Sequence, residues 1–408
     1  MANPVPAPRR VSRITCQVHG RLGDVVKRAL TRLGVDSALG ENGRTVREMR
    51  TSRPFGLPGS IVRLDDAPSE IFRITVPTDA ESTVIEALIR AAELDAPGHG
   101  SIFSQRLNEY GNFELPEILD GGDRGDRRAG ADRGDAGRAR EGQRGVEPRD
   151  AGRSQTRTLL HDLTLITCIL SMPGSGEQVA RVALDLGSCV PVVTLGRGTG
   201  VRDRLGLLRI TIPVEKEIVR LLVPEHDANE IMRLLIEEAR LDRPGRGFLY
   251  RTPVEAALLD TSLRIGRQEH AASIEQIIAA VDELKRGTSW RRRFAAIERS
   301  GGDPTQYLRL GNREIALISG EGRTSRLIEA AIAAGAGGAT TSRVRRLNLN
   351  ETDTGGAPRE RSVLSVPGDK AEAIVEAMVE AGAIGEDRAD RIQVLDAPAA
   401  FAHGRRPN

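Results

Sequence analysis

Short apolar runs alternate along this chain with stretches of helical period, in an order that recurs. "RITC", ending at Cys16, and "LITC", ending at Cys168, each open an extended apolar run. A helical face follows each: Val25, Val26, Ala29, Leu30 and Leu33 in the first case, Val179, Val182, Ala183 and Leu186 in the second. Next come a second strand, a polar glycine-containing loop, and a third strand ending in Val-Pro, "IFRITVP" to Pro77 and "IVRLLVP" to Pro224. The proline and the acidic residues after it predict a second helix, "TDAESTVIEALIRAA" or "EHDANEIMRLLIEEA". A proline-glycine turn then leads into a fourth strand: "LDAPGHGSIF" from Leu94 to Phe103, "LDRPGRGFLY" from Leu241 to Tyr250.

The spacing between Val76 and Val223 equals that between Asp95 and Asp242, while Cys16 and Cys168 lie a few residues further apart. One short insertion or deletion therefore separates the first strand from the third, and the rest stays in register. A worn third copy follows: "REIALIS" from Arg313 to Ser319, "SVLSVP" ending at Val366-Pro367, and "RIQVLDAP" from Arg391 to Pro398. The order β-α-β-β-α-β predicts an α+β protein of tandem ferredoxin-like units, each with two helices on one face of an antiparallel sheet. The expected boundaries are 11–116, 158–268 and 311–403.

Two segments fall outside the pattern. Residues 117–157 are dominated by Gly, Asp and Arg with little to bury, which predicts a disordered, charge-mixed linker. Read as a tether, it is simply solvated; read as an interaction arm, its arginines would bind, but the interspersed aspartates cancel their field. Residues 269–310 predict a helical connector, with Ile274, Ile277, Ile278, Val281 and Leu284 on one face and Ser273 as cap. Trp290 with Arg291, Arg292 and Arg293 could form an anionic docking patch, although three adjacent arginines cannot share one helix face.

Composition narrows the function classes. Lys and Arg number 59 against 57 Asp and Glu, a formal net charge of +2, which argues against a nucleic-acid binder driven by overall charge. Aromatics are 3 %, so Val, Ile, Leu and Ala must build the cores, and the strands lack the exposed aromatics of an RNA-binding sheet. Three cysteines form neither a disulfide framework nor a metal cluster. No apolar run approaches the ~18 residues needed to span a bilayer. "MANPVPAPRR" does not read as a signal peptide, and a cytoplasmic protein is expected. No nucleophile elbow, Walker loop or zinc signature is present, so an enzyme is not expected.

The repeated glycine turn has two physical uses. Glycine tolerates positive φ and can reverse the chain tightly. Alternatively, converging backbone N–H groups can form a nest for an anion such as phosphate. Cys16 and Cys168 repeat at one strand position, where a small buried hydrophobe fits better than a redox group. His99, at the first turn, is either a phosphate partner when protonated or an exposed turn residue.

From Leu165 to about Arg267 the chain resembles the PII signalling family of nitrogen regulators. The likeness rests on "LITCIL", "LGRGTG" from Leu195 to Gly200, "EKEIVRLLVPE" and "ARLDRPGRGFLYRTPV" from Ala239 to Val254, in that order. The first copy fits more loosely and the third by strand pattern alone. The resemblance implies trimers of ferredoxin-like units that bind adenine nucleotides between neighbours, here ATP, ADP, AMP or cyclic AMP, and act on a target enzyme, transporter or transcription regulator. It gives Gly245, Arg246 and Gly247 the phosphate-cradling role and puts Gly196 and Arg197 at the base of an effector loop. Leu222 would face the adenine, and Arg243, Arg264 and Arg267 would be phosphate partners. Gly98, His99 and Gly100 take the turn positions of the first copy. Gly198 stands where the family carries a glutamine and Phe248 where it carries a lysine, and the loop from Gly198 to Pro213 has no tyrosine. In the third copy "GEDRAD", Gly385 to Asp390, puts carboxylates where phosphate would sit. Three units in one chain suggest an intramolecular pseudo-trimer; the rival is a homotrimer through the second copy. A structural adaptor with decayed sites is the alternative function.

Overall fold

The computed structural model describes residues 5–52, 60–119, 159–186, 190–200, 215–260, 308–349, 356–385, 387 and 389–403. Most of the linker 117–157, most of the connector 269–310 with Trp290 to Arg293, and most of the Gly198–Pro213 loop lie outside the described residues.

The described chain forms three sets of elements in one order. The first is β1 (Arg9–His19), α1 (Gly23–Arg32), β2 (Ser37–Ser52), β3 (Ser60–Val76), α2 (Glu81–Ala92) and β4 (Gly100–Gly111). The second is β5 (Leu163–Leu170), α3 (Ser175–Leu186), β6 (Val192–Gly200), β7 (Glu215–Pro224), α4 (Ala228–Glu238) and β8 (Gly247–Val254), with a short β9 (Ala256–Leu258) after it. The third is β10 (Arg309–Gly320), α5 (Thr324–Ala333), β11 (Gly338–Asn348), β12 (Ala357–Pro367), α6 (Ala371–Glu380) and β13 (Arg391–Ala402).

Within each set the first strand lies between the third and the fourth, and the second pairs with the third, all antiparallel. The Val-Pro signal works as expected. Pro77, Pro224 and Pro367 leave their strands at φ −55°, −58° and −58° and enter one short 3-10 turn before the second helix. Proline fixes φ near this value, so the chain turns there without losing a needed donor.

Alternation along the first strands decides what faces what. Ile14 and Cys16 pack with Leu30, Val84 and Leu88 of the helices; Ile166 and Cys168 pack with Val179, Ala183 and Leu235; Ile315 and Leu317 pack with Leu327, Ile374 and Met378. These are three separate apolar layers, each between one set's strands and its two helices. The residues between them on β1, Arg13, Thr15 and Gln17, are also buried, which an ordinary solvent-facing sheet would not allow. They are covered because the strand sets pair with one another into a single 13-stranded sheet.

The pairing is cyclic. β9, the tail of the second set, adds to β4 of the first, with Leu258 opposite Ile102. The end of β13 adds to β8, with Phe401 opposite Leu249. The end of β4 adds to the start of β13, with Tyr110 opposite Ile392. Each set thus hands its last strand to a neighbour. Strand β11 also pairs with β6 and β2, and β2 with β6.

Candidate functional site

The two glycine turns superimpose in hydrogen-bond pattern as well as in sequence. Each helix ends on a left-handed residue, Glu93 at φ 49° and Arg240 at φ 51°. The N–H of Leu94 then donates to Ile89 and that of Leu241 to Ile236. His99 O accepts from His19 N at 3.1 Å, and Arg246 O accepts from Ser171 N at 2.9 Å, which ties each turn to the end of its first strand. Gly100 and Gly247 both sit at φ 142°, and a Cβ there would run into the carbonyl of Gln17 or Ile169. The last glycine of each turn is therefore required by the fold, whatever it binds.

The residue that meets each turn comes from a neighbouring set, through the cyclic strand exchange. Two residues past the Leu258–Ile102 pair stands Asp260; two past Phe401–Leu249 stands His403; two past Tyr110–Ile392 stands Asn112. Three turns thus meet three different side-chain positions.

At the first turn the Gly98 N–H donates to Asp260 Oδ1 at 3.0 Å. Asp260 is buried, its own N–H donates to Ser101 Oγ at 2.8 Å, and its carbonyl accepts from Val190 N at 3.2 Å. The carboxylate occupies the anion position of this nest. His99 is likewise committed to the fold, with Nδ1 3.0 Å from the Ala92 carbonyl at the helix end. Gly98, His99 and Gly100 therefore build a turn closed by the chain's own carboxylate, which corrects their expected role toward a ligand.

The third turn is closed by ion pairs. Asp390 is fully buried and held by Arg323 and, at 3.2 Å, by Arg359, which also pairs with Asp387. Asn112 Nδ2 donates to Gly385 O at 3.2 Å. Asp387 and Asp390 thus place their carboxylates among the arginines at this turn.

The second turn differs. Gly245, at φ 75°, presents an N–H that no described residue accepts, and the tail position opposite carries exposed His403 in place of a carboxylate. Arg243 is exposed and Arg246 half-buried, and no described acid pairs with either. Arg246 also borders a groove of about 920 Å³ between α3 and α4, which Arg181 and Arg240 share with Glu177, Glu237 and Glu238. That groove is large, but its mixed charges lie along its open walls; the open backbone donor, the Gly245 N–H, belongs to the turn.

The other expected residues are placed as follows. Gly196 and Arg197 lie near the end of β6, at the base of the connection to β7. Arg197 stands opposite Glu215 on one side and Thr341 of β11 on the other. A Cβ on Gly196 would press on Ile218 and Thr340 at 3.0 Å, so this glycine admits the neighbouring strand. Leu222 is buried on the face of β7 that also carries Arg220 and Ile218, within an apolar cluster. Arg264 and Arg267 lie outside the described residues. Burial pushes the Cys16 and Cys168 thiols up to about 12, which suits small core residues and disfavours a thiolate. Among the described residues no group of His, Cys, Asp and Glu could hold a metal, and no helix is long and apolar enough to cross a membrane.

No protein-family model and no curated protein matches the chain. Among the solved structures similar to part of it are two of one protein. A GlnK–ATP complex of B. subtilis is 17 % identical over 24 % of this chain and 86 % of its own, with a TM-score of 0.21. A second structure of B. subtilis GlnK is 17 % identical over 28 % of this chain and 97 % of its own, with the same score. At that score the likeness carries no argument about ligand or assembly.

Sequence reasoning missed Asp260, Asn112 and His403. Nothing local marks them: each matters only because its strand tail is laid on another set's turn.

Proposed function

We propose that the protein is a PII-like regulator built from three ferredoxin-like units, which binds a small anionic effector, an adenine nucleotide, at the second glycine turn and thereby modulates a target protein. One observation carries this reading: of three equivalent turns, two are met by the chain's own carboxylates and one, Gly245 to Gly247, is not. The N–H of Gly245 and the cations Arg243 and Arg246 have the polarity to receive phosphate oxygens. The motif resemblance of residues 165–267 supplies the nucleotide class. Ligand contacts made in only one arrangement of the protein would favour that arrangement, which is how effector binding would reach a partner.

Titration calorimetry of the full chain with ATP, ADP, AMP and cyclic AMP tests it. Binding of at least one, weakened tenfold or more by Arg246→Gln, is expected. Binding that survives both Arg246→Gln and Gly245→Val unchanged would sink the site assignment. A second reading, a structural adaptor, is favoured by the two internally closed turns; it is supported if none of the four nucleotides binds.

The cyclic strand exchange supports an assembly complete within one chain. Joining the units also raises their effective concentration over that of separate chains. Light scattering after size exclusion should give a mass near 44.1 kDa. A stable mass about three times larger would favour a homotrimer.

A further inference from the structure

Away from the turns, a cavity of about 20 Å³ lies inside the molecule where the three strand sets face one another. On that measure a single water needs roughly 10–15 Å³, so the space suits one small species. Arg13, Arg73, Arg220 and Arg361 line it, with Glu314 and Tyr250. All four arginines are buried, at 4 %, 6 %, 8 % and 4 % exposure.

The charges do not balance. Glu314 is shared between Arg13 at 3.4 Å and Arg361 at 3.2 Å. Glu41 is shared between Arg73 at 2.6 Å and Arg220 at 4.0 Å. Glu109, further out, is engaged by Arg391 at 3.3 Å and by Gln393. Two carboxylates thus face four guanidinium groups. Neighbouring dipoles take some donors: Arg13 donates to Gln105 at 2.8 Å and Gln393 at 3.1 Å, and Arg220 to Thr194 at 3.0 Å. Arg73 Nη1, Arg13 Nε and Arg361 Nε remain buried and without a hydrogen-bond partner among the described residues. Burial above all, with smaller contributions from Arg361 and Arg220, brings Arg73 down to about 9 despite Glu41.

Uncompensated buried charge is among the costliest arrangements a protein can hold, and unpaired guanidinium donors add to it. We propose that this cavity is a structural anion site that holds one chloride ion, bridging arginines contributed by all three strand sets. Arg13 and Arg73 come from the first set, Arg220 from the second and Arg361 from the third, so the ion would fasten the sets to one another. Phosphate and nucleotides are too large for the space, which separates this site from the proposed effector turn.

Bromide tests it directly, on the full chain. Crystals grown in sodium bromide should show an anomalous peak in the cavity between Arg73 and Arg361; a map without a peak there overturns the proposal. Thermal unfolding gives the solution counterpart. At constant ionic strength the midpoint should rise with chloride replacing gluconate, as linkage requires for a ligand of the folded state. Equal midpoints in chloride and gluconate would count against the site, and a chloride effect with the bromide peak elsewhere would assign the ion to another place and overturn it too.

Discussion

Replacing Asp260 with alanine isolates the contact that closes the first turn. The carboxylate is buried and accepts the Gly98 N–H at 3.0 Å, while the hydrogen bonds of the Asp260 backbone to Ser101 and Val190 do not need the side chain. Alanine therefore removes the charge-assisted hydrogen bond from the Gly98 N–H. A hydrogen bond to a charged group contributes about 1.5–3 kcal/mol, so urea unfolding should show a loss of that size with little change in slope. The variant also opens the nest. If the second turn binds a nucleotide because no carboxylate meets it, calorimetry should find a second, weaker site in Asp260→Ala. Asp260→Asn should lose less stability, because its amide oxygen can still accept. A variant as stable as the native chain, with unchanged stoichiometry, would refute the view that Asp260 acts as an internal anion.

Four further outcomes are expected. Gly247→Ala should destabilise by more than the ~1–3 kcal/mol of a strained backbone residue, since the new methyl also meets the Ile169 carbonyl; a melting curve checks it. Glu41 would be raised by burial, but Arg73, Arg220 and Arg361 outweigh that and bring it down to about 2. A folded value below the unfolded one of about 4.3 means the stabilisation, ~3 kcal/mol, is present above that pH and lost as pH falls towards 2. Urea unfolding across this window should show the slope, and Glu41→Gln should flatten it. Leu88→Ala, at a fully buried position under the first sheet set, should cost about 2–5 kcal/mol in the same assay. At pH 8 a thiol reagent should label Cys16 and Cys168 only after urea is added, because both are buried with their thiols held near 12.

Much of the molecule was legible in the chain itself. Side-chain alternation and helical period are local consequences of backbone geometry, so β1, α1, β5 and α3 could be read from the positions of Ile14, Cys16, Leu30, Ile166, Cys168 and Ala183. Pro77 and Pro224 announced the second helices because proline acts on its own φ. Gly100 and Gly247 announced a turn that no other residue fits. The acids of "GEDRAD" already spoke against an anion at the third turn. What the chain alone could not give was which residue faces which turn. Asp260, Asn112 and His403 occupy their positions through strand pairing between sets, with partners far away in sequence, and no periodicity records such pairing. The same holds for Arg13 and Thr15. Their pattern is that of a solvated sheet face, and only the docking of the three strand sets buried them and brought Arg13, Arg220 and Arg361 together. Local geometry decided the elements; long-range pairing decided which turn stays open and where the buried charge accumulates.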